Sequence, residues 1–439
     1  MRIMMPNSNK ILLLGLLLVA GAVCANNIIP GAKQTHPILL KGGTLYTVSN
    51  EVMPNTDLLF DNGRITQIGQ NITPPSGAEI VDAMGKFVYP GIIDAYSNIG
   101  LVEVGSIRAT TDEGEVGKNN ADVQSQIAYN PDSEIIPTIR TNGITTVLVV
   151  PGGSLVQGQS CLMNLDGWTR EDAAEELRVG LHLNWPQAAI ITAWWMERTP
   201  EEQKKEMEQN KAALGTLFDD ARSYMIAKKA DPSLPQDSRW EAMLPIFSGE
   251  LPVYIYANDY RQIEDAVAFS KKYGFRMILT GGRESWKLIS LLKENNIPAI
   301  YGNVDDMPLR PDDDYDQSFK IPKLLQDAGV KFCVATFDNW NARNLPFQAG
   351  YTVAFGLTKD QAIRSITLSA AEILGVAKDL GSLEVGKKAT LFVSRGDILD
   401  PMSAGVTMEY IEGRKVDLDN KQLELYRKYL AKHWSPAAK

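Results

Sequence analysis

The sequence predicts an α/β fold: a (β/α)8 TIM-like barrel carrying a small β-sandwich built from both chain ends. Three observations lead there. Short continuous apolar runs alternate with helix-start signals through the middle of the 439-residue chain, as parallel strands covered on both faces would require. Short β runs separated by turns precede this region, and a similar β register returns after it. The expected divisions are an export signal at 1–25, the N-terminal part of the sandwich at 26–88, the barrel at 89–378, and the C-terminal part of the sandwich with a terminal helix at 379–439.

The elements follow in chain order. Arg2 and Lys10 make a positive start, Ile11 to Val23 is an apolar run of signal-peptide length, and Val23-Cys24-Ala25 supplies small residues for cleavage before Asn26. Export to the periplasm or the exterior is therefore expected. The alternative, an uncleaved anchor, is disfavoured because the run is short for a span of about 20 residues. No later segment is long and apolar enough to span, so no stable membrane span is expected after cleavage. Ile38 to Leu40 and Leu58 to Ile65 read as strands, with Asp61-Asn62-Gly63 as a hairpin turn whose residues tolerate positive φ. Candidate barrel strands are Phe87 to Asp94, Thr145 to Val150, Val179 to Asn184, Ala189 to Ala193, Val253 to Ala257, Arg276 to Thr280, Ala299 to Tyr301 and Phe332 to Thr336. Between them, Thr199-Pro200-Glu201-Glu202 forms a helix-starting capping box, and Thr358 with Gln361 and Ser369 with Glu372 repeat the device. Ala389 to Val393 and Val406 to Val416 return to strand.

Composition bounds the function. A chain that is 44% hydrophobic and 22% charged can build a large core without a metal or disulfide. Loss of the signal takes the formal charge from −9 to −11, which argues against nucleic acid as a partner. Cys161 and Cys333 would remain, and two buried thiols are expected.

The most telling stretch is Val88-Tyr89-Pro90-Gly91-Ile92-Ile93-Asp94-Ala95-Tyr96-Ser97-Asn98. It resembles the signature with which the amidohydrolase superfamily delivers two metal-binding histidines from the first barrel strand, except that those positions read Tyr96 and Asn98. The resemblance extends through Thr145 to Asp166, Arg343 to Gly350, Ser365 to Gly375 and Gly381 to Lys387, and within the superfamily it points to the exported imidazolonepropionase-related group. It implies zinc or another divalent metal, held by histidines from strands 1, 5 and 6 and an aspartate after strand 8. The equivalent positions here are Tyr96, Asn98, Tyr256 and Thr280, with Asp338 as the candidate carboxylate. The chain has three histidines, His36, His182 and His433, and none stands in a ligand pair. No metal site and no cofactor are therefore expected.

Tyr96, Asn98, Tyr256 and Thr280 are either a re-purposed ligand pocket at the C-terminal mouth of the barrel or filler of vacated space. His182, on the expected third strand, and Asp338 are the candidate catalytic residues, with a structural hydrogen-bonded histidine as the competing reading. Glu103 and the acidic loop Arg108 to Glu115 either bind a cation or a basic substrate or are solvated surface, the runs Asp305-Asp306 and Asp312-Asp313-Asp314 fit solvated surface, and burial under the following helix is expected for Trp194-Trp195. Three functions stay open: a catalytically degenerate homologue binding a small molecule, a hydrolase of C–N bonds with a non-standard site, and a structural partner of an intact amidohydrolase paralogue or of further copies of itself.

Overall fold

The computed structural model describes residues 29–434. The expected export segment lies outside the described residues. Among them, no helix is long and apolar enough to cross a membrane.

The chain builds two eight-stranded sheets. It opens with β1 (Ile38–Leu45), β2 (Met53–Asp61), β3 (Arg64–Gly69), β4 (Glu79–Asp82) and β5 (Phe87–Pro90). The central strands are β6 (Ile92–Ser97), β7 (Ile144–Val149), β8 (Val156–Asn164), β9 (Ala174–Asn184), β10 (Val253–Ala257), β11 (Met277–Gly281), β12 (Ala299–Gly302) and β13 (Phe332–Ala335). Last come β14 (Leu391–Ser394), β15 (Val406–Ile411) and β16 (Arg414–Lys415).

The terminal strands form one sheet in the order β16-β15-β14-β5-β1-β2-β3, with β4 also paired to β1. The C-terminal strands enter through β14, which runs antiparallel to β5 in the register Leu391↔Pro90. The β2–β3 turn places Asn62 and Gly63 at φ 49° and 75°, the left-handed pair that a tight hairpin needs. Two facing sheets were expected, but a single sheet curls upon itself instead. Phe60 on β2 meets Tyr410 on β15 at 5.0 Å between ring centroids, although three strands separate them in the sheet. The curl encloses Leu40, Leu58, Val88, Leu391 and Val393.

The central strands lie in the order β13-β12-β11-β10-β9-β8-β7-β6, nearly closing a barrel. One strand departs from the expected all-parallel set. β8 runs antiparallel to both β7 and β9, and Ala189 to Ala193, expected as a strand, is irregular. β8 reads Val-Gln-Gly-Gln-Ser-Cys-Leu-Met-Asn and is buried throughout. Polar residues interrupt it, among them Gln159, whose Nε2 donates to the Ala121 carbonyl while its Oε1 has no partner, so it lacks the apolar run by which buried strands are recognised. His182 consequently stands on the fourth strand in barrel order, not the third.

Residues alternate across each strand. Ile93, Leu148, Tyr254, Ile278, Ile300 and Cys333 share one cluster inside the barrel, while Ile92, Val147, Val253, Leu279 and Val334 pack outward under the helices. Both cysteines are free and buried. The capping boxes at Thr199 and Thr358 form. The helix expected to begin at Ser369 is Leu368–Leu374, with Thr367 at its N-cap position, and Glu372 pairs with Arg364 and Lys331. The barrel and the curled sheet are tied by buried ions. Arg140 and Asp166 of the barrel pair at 3.0 Å, Arg414 of the curled sheet donates to the Asp166 carbonyl at 3.3 Å, and Lys388 reaches both Glu175 and Glu412 at 2.7 Å.

The passage between the sheets is Gly91, between β5 and β6. A Cβ there would lie 2.1 Å from Thr145 Oγ1, and Thr145 is fully buried. Gly91→Ala is expected to cost about 1–3 kcal/mol through overpacking, read as a lower urea midpoint with unchanged slope. An unchanged midpoint would show that the two strands can part freely here.

Candidate functional site

The site begins with a carboxylate that closes the barrel. No strand ladder joins β13 to β6. Asp94 on β6 bridges the seam instead: its Oδ1 accepts from the Thr336 backbone N–H at 3.1 Å and from the Tyr96 N–H at 3.4 Å. Its Oδ2 accepts from the Thr336 hydroxyl in a short hydrogen bond. Alongside, the Phe337 N–H donates to the Tyr96 carbonyl at 3.0 Å and the Ser97 hydroxyl donates to the Asp338 carbonyl at 2.7 Å. Burial pushes the Asp94 carboxyl up to about 7, opposed by the Thr336 and Tyr96 hydrogen bonds and aided by the nearby charge of Asp338.

Across this clasp the chain turns at Phe337, which has φ +57°. A left-handed conformation costs a bulky L-residue on the order of 1–2 kcal/mol. Here it delivers the Phe337 ring into the barrel mouth. That ring stacks on Tyr96 at 4.0 Å and 16° and tilts against Tyr256 at 5.9 Å. On its other side is Gly302, where a Cβ would fall 2.2 Å from the ring.

The structure therefore brings together Tyr96 and Tyr256, with Thr280 in register beside Tyr256 on the neighbouring strand. Tyr256 accepts from Asn258 Nδ2 at 2.9 Å. Thr280 is fully buried, and its hydroxyl has no partner. Asn98 donates to Glu113 at 2.8 Å, while its carbonyl oxygen is buried and unpartnered. Glu113 comes from the acidic loop after β6, so at least one carboxylate of that loop has a defined partner at the mouth.

His182 lies one layer deeper. Its ring stacks on Tyr254 at 4.7 Å and meets Tyr96 edge-on at 5.8 Å. Burial alone pushes its pKa down to about 3, and Nε2 has no hydrogen-bond partner. Asp338 is not joined to it: both Asp338 carboxylate oxygens accept from Asn341, at 2.7 and 3.2 Å. The two candidate catalytic residues thus form no acid–base pair here. Asp94 and Phe337, which sequence reasoning did not single out, organise the site instead. Asp94 had been visible beside Ile93 in the strand motif, whereas nothing in the sequence marked Phe337. Trp194 and Trp195, expected to be buried, are 95% and 56% exposed.

The mouth does not suit a divalent metal. The positions that would hold one offer two phenols, an amide, a hydroxyl and one carboxylate already engaged by Asn341. Burial raises the Tyr96 phenol far above its ordinary pKa, so it stays neutral, and neutral phenols and amides make weak ligands for zinc. Among the described residues no group of three or more His, Cys, Asp or Glu side chains converges in a way that could hold a metal ion.

Residues 287–417 match the model of the amidohydrolase family. The solved structure of an amidohydrolase from Thermotoga maritima MSB8 superposes with a TM-score of 0.77 at 25% identity, over 87% of this chain and 99% of that one. Together these matches support the amidohydrolase superfamily. Amidohydrolase tasK of Hapsidospora irregularis is 23% identical over 391 residues, 81% of this chain and 39% of the relative. The dihydropyrimidinase of Dictyostelium discoideum is 29% identical over 171 residues, 38% of this chain and 28% of the relative. The chain thus spans well under half the length of these two relatives.

Two buried groups titrate in opposite senses, which predicts a compensated pH profile. The Asp94 carboxyl is raised from 3.8 to about 7. Between those values the unfolded chain has lost a proton that the folded chain keeps, so stability falls as pH rises. His182 is lowered from 6.5 to about 3. Between those values the unfolded chain holds the extra proton, so stability rises with pH. In the shared window, about pH 4 to 6.5, the two slopes of up to ~1.4 kcal/mol per pH unit oppose each other. Urea titrations should show Asp94→Asn gaining a slope that rises with pH relative to wild type, and His182→Phe a slope that falls. Profiles parallel to wild type in both variants would refute the assignment.

Proposed function

We propose that this protein is a catalytically degenerate amidohydrolase-superfamily member that binds a small uncharged cyclic molecule at the barrel mouth without a metal. The observation that carries this reading is the set of neutral hydrogen-bonding groups at the positions where the superfamily's metal ligands map. Two of them, the Thr280 hydroxyl and the Asn98 carbonyl oxygen, are buried without partners, and such groups cost free energy until something satisfies them. Aromatic faces at Tyr96 and Tyr256 favour a flat ring over a chain. A relative named dihydropyrimidinase supports a cyclic amide as the ligand class. The finer kinship, with the exported imidazolonepropionase-related group, rests on the motifs from Val88 to Lys387, and export rests on the N-terminal segment.

Differential scanning fluorimetry with dihydrouracil and hydantoin, with and without EDTA, tests this. The expected result is a saturable rise in Tm that EDTA leaves unchanged. Thr280→Val, which keeps shape and removes the hydroxyl, should weaken binding about tenfold, the equivalent of ~1.4 kcal/mol. Ring-opened product that disappears on adding EDTA would instead establish a working metallohydrolase and end the degenerate reading.

A further inference from the structure

The place that a ring-shaped ligand would take is filled by the protein's own Phe337. We propose that the Phe337 ring is an intramolecular occupant of a ring-sized site at the barrel mouth, and that a small, flat, uncharged ligand binds by displacing it. The inference rests on the mouth being a ligand site, and it adds how that site is kept shut and what shape opens it.

Four observations converge. The ring is held as a bound aromatic would be, face to face with Tyr96 at 4.0 Å and tilted against Tyr256 at 5.9 Å. Its other neighbour is Gly302, whose missing Cβ leaves room for the ring and for nothing more. Its backbone sits at φ +57°, disfavoured for a bulky residue and typical of positions where the surroundings impose a functional conformation. Finally, the hydroxyl of Thr280, in register beside Tyr256, and the Asn98 carbonyl oxygen are unpartnered, and a phenyl ring cannot hydrogen-bond to them, whereas a heterocycle with hydrogen-bonding edges can.

The charges around the mouth set the ligand's charge. Glu113 is engaged by Asn98, Asp338 by Asn341, and Asp94 by Thr336 and Tyr96. These acidic groups repel an anionic ring, and a charged ring of either sign would lose its hydration between the Tyr96 and Tyr256 rings, so a neutral one is accepted. Cavities of about 430, 650 and 870 Å³ lie elsewhere, the largest against Arg276, Asn296, Lys331 and Glu372 at the opposite end of the barrel.

Two variants remove the ring. Phe337→Gly removes it and suits the positive φ. Phe337→Asn also removes the ring, with a residue that tolerates the left-handed backbone. Isothermal titration calorimetry with phenol on wild type and both variants reads the outcome. The expected result is millimolar or tighter saturable binding of phenol to each variant, with Kd about tenfold or more below the wild-type value. Equal binding to all three proteins, or to none, would overturn the proposal. Should one variant fail to fold, the other carries the test alone. Dihydrouracil titrated in parallel separates the two readings: phenol discriminating between the proteins while dihydrouracil binds none of them supports the displaced ring and sinks the cyclic-amide assignment.

Discussion

The Asp94–Thr336 clasp is the constraint on which the rest of the site depends. A barrel whose first and last strands share no ladder needs another means of closure, and here one buried carboxyl accepts two hydrogen bonds across the seam. Closure at that point fixes the chain direction after β13. It brings Phe337 under the Tyr96 carbonyl and Asp338 against Ser97. With the turn pinned on both sides, the left-handed backbone at Phe337 is sustained by its surroundings rather than by its own preference. The carboxyl is held where its charged form is costly, and the hydrogen bonds from Thr336 and Tyr96 recover part of that cost.

This arrangement gives the mouth a different physical basis from a metal centre. A structural or catalytic ion would organise converging ligands by strong, directional bonds. Here the same region is organised by stacking among Tyr96, Phe337, Tyr254, Tyr256 and His182. Each such aromatic pair contributes about 0.5–1.5 kcal/mol beyond burial. Weak contacts of this kind can be exchanged for others of similar strength, which suits displacement and recognition. The neutral imidazole of His182, buried with no partner at Nε2, belongs to that stack as a flat ring.

Much of the fold was legible in the chain, because the signals that carry it are local. The strands from Val253 to Ala335 announce themselves as apolar runs, the Asn62-Gly63 turn by its residue types, and the Thr199 and Thr358 helix starts by their caps. β8 escaped notice because polar residues such as Gln157 and Gln159 interrupt the apolar run that marks a buried strand. The curl of the terminal sheet depends on contacts such as Phe60 with Tyr410, separated by most of the chain. At the site, Tyr96, Tyr256 and Thr280 could be placed at the mouth through the resemblance of their strands to the superfamily's ligand-bearing strands. Phe337 could not, since its position follows from a positive φ imposed by the clasp, and phenylalanine carries no sign of that conformation.

The central claim is that the mouth is organised without a metal, and the most direct test is the metal content of the protein purified without chelators, measured by elemental mass spectrometry. The expected result is well under one equivalent of zinc, manganese, iron, cobalt or nickel per chain, because neutral phenols, an amide and a hydroxyl compete poorly for these ions. One or two equivalents that persist through gel filtration and fall on Asp338→Ala would contradict it, and would make the barrel mouth a metal centre built from an unusual ligand set.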